Sequence, residues 1–485
     1  MHFGSFGRLI RFLSAVAVLT LLVAITTSAQ RNENTEPTNR SGATDPGPRA
    51  GTVNAGQPLS TLSPSQLQFF QDGLARFVQV DSVSGGVAGE PGTGLGPGYN
   101  SNSCGSCHAQ PSVGGTSPSA TFFPFVGQNP QMTVGFDYGA GNQIPFFVTA
   151  DGPVRETRFP YAVNPNGSVN AQAADGGVHD IYTIAGRSDA TGCVMPQPNY
   201  EAMAHQNNLI FRIPTPTFGA GLIENIADAT IVANMNANAQ AKNALGISGH
   251  PNYSGNDGSI TRFGWKAQNK SLEIFAGEAY NVEMGVTNEL FQTKRASPPA
   301  ACMYNSLPED ETNFDSSGAQ IPSDVVAFAM FSRFLAPPTP SAQGIPNNPS
   351  AQSLSRGQAT FNAAGCNMCH TSTLQTSGST FTAALSNQPA NLYSDLLVHH
   401  MGSGLSDRIS QGAAGPDEFR SAPLWGVGQR IFFLHDGRSG PANGGLVNAI
   451  QQHASRGSEA NRVISNYNHL SPQQQQDLLN FLRSL

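Results

Sequence analysis

The sequence predicts a mostly α chain made of two related domains, the first opened by a long loop-rich insertion. Three observations carry that prediction. The pentapeptide Cys-x-x-Cys-His occurs twice, at 104–108 and at 366–370. A helix signal precedes each copy and carries the same Gly-x-x-x-Phe spacing, Gly73 to Phe77 and Gly357 to Phe361. Helix-starting capping boxes with Pro at the first helical position stand at Ser63-Pro64-Ser65-Gln66 and Ser471-Pro472-Gln473-Gln474.

Taken in order, the chain opens on an address. Arg8 and Arg11 precede an apolar run over 12–25, and Thr27-Ser28-Ala29 supplies the small residues of a cleavage site. Residues 1–29 therefore read as a signal peptide, the run being short for a bilayer span of about 20 residues. An uncleaved anchor is the alternative. The mature chain is expected to be periplasmic or secreted, with no stable membrane span. Residues 30–60 are polar and rich in Gly, Pro, Asn and Thr, the composition of a flexible linker. The first domain is assigned to 61–345. Its capped helix is separated from Cys104 by a Gly-rich loop, and the insertion over 111–260 offers one clear helix candidate, 221–238. The second domain is assigned to 346–485. A helix from about 350 runs into the second motif, and Leu478, Leu479, Phe481, Leu482 and Leu485 form one stripe of a C-terminal helix.

Composition sets limits. Hydrophobic residues make up 39% of the 485, enough for a globular core, while 52 Gly and 34 Pro with 12% charged residues predict many loops. A formal net charge of −7 without a Lys/Arg cluster argues against a nucleic-acid partner.

The repeated motif carries the chemistry. A zinc site needs four ligands, and a His placed directly after both Cys pairs would then be a coincidence. A thioredoxin-like dithiol needs a strand before the motif and a helix beginning at it, and neither copy has them. Covalent haem attachment uses every residue: two thiols on one helical turn bond the two vinyl groups, and the adjacent imidazole ligates iron. The sites are Cys104, Cys107 and His108, and Cys366, Cys369 and His370. The two domains are then cytochrome c-like haem domains. Cys193 and Cys302 remain, and an oxidising compartment favours a disulfide between them over two free thiols.

Two further stretches carry a family resemblance. "FRSAPLWGVGQRIFFLHDGRSGPANGGLVNAIQQH" (419–453) resembles the end of bacterial di-haem cytochrome c peroxidases, and "RFGWKAQNKSLEIFAGEAYNVEMG" (262–285) resembles their Trp-to-Val-Glu-Met-Gly stretch. With "GLGPGYNSNSCGSCHAQPSVGG", "GAGLIENI" and "YSDLLVHHMGSGLSD", the chain is similar to the di-haem oxidoreductase family of that superfamily, whose members are sometimes labelled thiol oxidoreductases. The resemblance covers nearly all of the chain after about residue 60. It implies that Trp265 lies between the haems and that Glu283 stands over the open face of the first. Glu224 and Glu278 are the rival carboxylates. It also implies a reactive first haem, a second haem serving as electron port, a calcium ion between the domains, a small donor protein (cytochrome c or cupredoxin), and peroxide as oxidant. Lys266-Ala267 departs from the peroxidase pattern, where Asp-Gly would follow Trp265. The ligand-Met position before the Pro-x-Leu turn reads Asp417-Glu418-Phe419-Arg420 and is vacant, so Met401 is the expected sixth ligand of the second iron, with His399, His400 and His435 competing and an open or water-ligated site as the remaining alternative. His179, His205 and His250, in the insertion, are candidates to cap the first iron. A non-catalytic electron carrier, and an oxidase or oxygenase of an organic or protein substrate, are the alternative functions.

Overall fold

Each Cys-x-x-Cys-His motif follows a capped helix, and one packing device seats both helices. The computed structural model describes residues 42–51, 54–120, 128–137, 142–295 and 297–485, so the expected signal peptide lies outside the described residues. The Pro64–Phe77 helix starts on a Ser63/Gln66 capping box, and the Pro472–Ser484 helix on a Ser471/Gln474 box. Gly73 lies against the Ala327 carbonyl of the Asp324–Phe334 helix; a Cβ there would stand 2.3 Å from that oxygen. Gly357, in the Ala351–Ala364 helix, meets the Asp477 carbonyl of the C-terminal helix in the same way, at 2.0 Å. Four residues on, Phe77 packs edge-on to His108 at 5.8 Å between ring centroids, and Phe361 lies 6.4 Å from His370. The Gly lets two backbones cross closely, and the Phe then fills the space beside the motif's imidazole.

Residues 39–485 form one compact body. The stretch expected to be a flexible linker does not behave as one where it is described. Asp45 holds Arg483 through both carboxylate oxygens, at 2.7 and 2.6 Å, and Arg49 is buried with its backbone N–H donating to the Gly428 carbonyl. A polar composition reads as a linker until a buried partner, here Arg483, is found for its charge.

The mostly α expectation also needs correction, because helix accounts for 32% of the described residues and strand for 15%. The insertion contains an antiparallel sheet in which the Glu156–Val163 strand lies between Val169–His179 and Ile210–Arg212. Register shifts at Phe159/Tyr161 and Tyr161/Val163 break its period of two, which hides the strand from pattern reading. The helix expected over 221–238 is two helices, Ala220–Glu224 and Asp228–Asn236. Asn225 ends the first by donating from Nδ2 to the Gly221 carbonyl, and Asp228 opens the second while its carboxylate takes the Ile260 N–H and Arg262.

Cys193 and Cys302 are bonded, with a sequence separation of 109. Chain entropy for a loop of that length gives a stabilisation of about 2–5 kcal/mol. The double variant Cys193→Ala/Cys302→Ala is expected to lose that much in urea unfolding and to respond no further to reductant. An unchanged midpoint would mean that the bond constrains nothing the fold does not already fix.

Among the described residues no helix is long and apolar enough to cross a membrane.

Candidate functional site

Two cavities open beside the two motifs. The first has about 1230 Å³ of space between atoms, including its mouth, and the second about 1440 Å³. Cys104, Cys107 and His108 line the first; Cys366, Cys369 and His370 line the second.

The motifs fold alike. The His108 backbone N–H donates to the Cys104 carbonyl at 3.0 Å, and that of His370 to Cys366 at 2.9 Å. His108 Nδ1 lies 2.9 Å from the Gly115 carbonyl and His370 Nδ1 2.9 Å from the Tyr393 carbonyl. A carbonyl can only accept, so both imidazoles carry their proton on Nδ1 and keep the Nε2 lone pair free for a metal. Burial pushes both histidines down to about 4, so both are neutral ligands at neutral pH. For His370, nearby His453 and His399 add to that lowering.

The four thiols are unpaired with one another. Burial pushes Cys107 up to about 11 and Cys366 up to about 12. A redox dithiol needs an acidified thiol, and here the environment acts in the opposite direction. Among the described residues no group of three His, Cys, Asp or Glu side chains is placed to hold a metal ion, which leaves the zinc reading without a ligand set there. A cavity lined by each motif, paired thiols on one turn and a tautomer-fixed imidazole fit haem at both motifs.

Glu283 ends the Leu272–Glu283 helix and lines the first cavity. Asn100 Nδ2 donates to its Oε2 at 2.7 Å. Burial, with the Glu156 charge adding to it, holds the Glu283 carboxyl well above the usual carboxylate range, while Arg158 opposes. Glu156 and Arg158 pair at 2.8 Å; both come from the central insertion strand and line the same cavity, as do Gln131, Arg155 and Arg212. These insertion residues were missed in the sequence because the strand itself was. Of the rival carboxylates, Glu224 is committed to Arg333 at 2.6 Å and to the Leu272 N–H, whereas Glu278 lines the first cavity and accepts from Asn269. His179, His205 and His250 do not line it.

Trp265 lines both cavities. It is 8% exposed, and its indole N–H donates to the Ile213 carbonyl at 3.0 Å. Its ring lies 6.4 Å from that of His435, which in turn stacks on Phe419 at 4.3 Å.

The second cavity gathers Met401, His399, His435 and His453 besides His370. His399 has both ring nitrogens committed, Nδ1 to Glu459 at 2.9 Å and Nε2 to Asp395 at 3.1 Å. His400 does not line the cavity and pairs with Asp417 and Glu418. His453 was not singled out in the sequence, although Leu446, Ala449, Ile450 and His453 share one helical stripe. An imidazole at the end of an apolar stripe was the available signal.

The family model described as "Di-haem oxidoreductase, putative peroxidase" matches residues 180–485. Among solved structures, the chain is similar to hydrazine synthase of Kuenenia stuttgartiensis at 20% identity and a TM-score of 0.22, covering 33% of this chain and 55% of that one. It is also similar to a MauG-like protein associated with microbial copper homeostasis at 16% identity and a TM-score of 0.26, covering 56% of this chain and 89% of that one. The chain thus spans about half the length of the hydrazine synthase chain. No curated protein matches it.

Proposed function

The chain belongs to the di-haem oxidoreductase family, and we propose that it is an exported, peroxidase-like enzyme carrying two covalently attached haems. The observation that carries this reading is the placement of Trp265 in the walls of both cavities, with Glu283 in the first. Cys104 and Cys107 hold the reactive haem, with His108 as its ligand; Cys366, Cys369 and His370 do the same for the electron-port haem. When bound, the haems supply the one-electron redox chemistry that peroxide reduction requires. Glu283 accepts a proton from one peroxide oxygen and returns it to the other, a task for which a carboxyl raised by burial is suited. Asn100 fixes the position of Glu283 Oε2. Trp265 is the aromatic relay between the two centres. The Cys193–Cys302 bond fits an oxidising compartment such as the periplasm, where a small cytochrome c or cupredoxin would supply electrons.

One observation favours a second substrate class. Gln131, Arg155, Glu156 and Arg158 bring to the first cavity more polar surface than peroxide needs, which suits an organic or protein substrate oxidised at the same centre. A pure electron carrier fits less well, because it has no use for a carboxyl such as Glu283 in the first cavity.

A pyridine haemochrome assay on protein made with cytochrome c maturation should return two haems per chain, resistant to acidified acetone. Stopped-flow mixing of the half-reduced protein with peroxide should then give a fast spectral change at the first haem. A ratio of one, or no fast change, would remove the proposal.

A further inference from the structure

We propose that His453 is the sixth ligand of the second haem, which makes that centre a bis-imidazole site. The inference rests on the reading of two attached haems given above and goes beyond it.

Three features of His453 carry it. Its Nδ1 lies 2.7 Å from the Ala449 carbonyl, so the proton is fixed there and the lone pair is on Nε2. That is the arrangement His108 and His370 show at their own carbonyls, at 2.9 Å each. Second, His453 lines the cavity that His370 lines. Third, its position is fixed from three sides. The His453 N–H donates to the Ile450 carbonyl, and its own carbonyl accepts from Ser458 Oγ at 2.6 Å.

A helix-end histidine often bonds the carbonyl four residues back merely to cap the helix. His469 does this here, with Nδ1 2.7 Å from the Ser465 carbonyl, but it is exposed and lines neither haem-motif cavity. His453 lines a cavity instead, and among the described residues its ring is hydrogen-bonded through Nδ1 alone.

The competitors are placed differently. His399 has no free ring nitrogen. His435 is sandwiched flat on Phe419 and edge-on to Trp265, at the wall shared with the first cavity. Met401 packs in that same group with Trp265, Leu405 and Phe419. His453 extends the Leu446, Ala449 and Ile450 stripe, which packs with Phe361 and Cys366 around the second motif itself.

The test is near-infrared and EPR spectroscopy of the ferric holoprotein, with the second haem's potential measured by redox titration. Since His108 is the one histidine lining the first cavity among the described residues, a bis-imidazole signature reports the second centre. The parent is expected to show that signature without a thioether-to-iron band, and Met401→Leu to leave it unchanged. His453→Ala should abolish it. His453→Met should replace it with a thioether band and raise the potential, since Met/His ligation favours ferrous iron. A thioether band in the parent that Met401→Leu removes, or a bis-imidazole signature that survives His453→Ala, overturns the assignment. The haemochrome ratio separates the two claims. With two haems per chain, a failed signature sinks only the ligand; a ratio of one sinks the two-haem reading and the ligand with it.

Discussion

Glu283→Gln is expected to lower peroxide turnover by about 10²–10⁴-fold while leaving the haem content and both haem spectra intact. The substitution keeps the shape of the side chain and lets the Asn100 amide, 2.7 Å from Oε2, keep a hydrogen bond. It removes only the proton the residue can gain or lose. The pH dependence makes the prediction specific. Burial and Glu156 raise the carboxyl well above its usual value, so the basic form, which takes the first proton, grows in as pH rises through that raised value. The acid limb of kcat/KM should therefore lie clearly above the range of an ordinary carboxylate, about 4.3. The Gln variant should keep a low rate with that limb gone. If it turns over like the parent with the limb in place, Glu283 has no acid–base role, and Glu278, in the same cavity, is the next carboxylate to test.

What the sequence made legible was local. A capping box is written in four consecutive residues, and Ser63 and Ser471 each start a helix accordingly. The Gly-x-x-x-Phe echo marked the two equivalent helices because close backbone crossing demands Gly at one fixed place. The two haem motifs are contiguous and state their own chemistry. What stayed hidden depends on residues distant in sequence. The Glu156–Val163 strand carries bulges that spoil its alternation. Asp45 looked like linker because Arg483 stands at the other end of the chain. His453 looked like any helix-end histidine until the fold placed it in the cavity of His370. Lys266 was visible as a departure from a family pattern, yet nothing nearby said that its charge would be buried against Asp407.

That buried cluster carries the second large effect: Asp407→Asn is expected to destabilise the holoprotein by about 3–5 kcal/mol. Lys266, Arg212 and Asp407 are 0%, 1% and 1% exposed. Asp407 reaches Arg212 at 2.6 Å and Lys266 at 3.1 Å, so one carboxylate serves two cations. Lys266 Nζ also donates to the Gly415 and Glu418 carbonyls at 2.8 and 2.9 Å and sits 4.1 Å over the Phe419 ring. Even so, burial, with Arg212 adding to it, pushes Lys266 down to about 8. Removing the carboxylate leaves two buried cations without their shared ion-pair partner, with only the more distant Glu156 and Asp417 charges opposing them, and Lys266 would then shed its proton at lower pH still. Urea unfolding should show the loss as a lower midpoint at unchanged slope. The sign of the pH effect follows from Lys266. Its folded value lies below the unfolded value of about 10.4, so the unfolded chain binds the extra proton between the two, and parent stability should rise with pH from about 8 toward 10. Lys266→Met should flatten that rise. The cluster also sits beside the proposed relay, since Lys266 follows Trp265 and covers Phe419, which stacks on His435. Asp407→Asn leaves one more uncompensated positive charge next to the indole, which disfavours its oxidation. Electron transfer between the haems should slow in that variant at pH 7 and recover as Lys266 is deprotonated. If the rate stays flat across that range, the cluster supports the fold without acting on the relay.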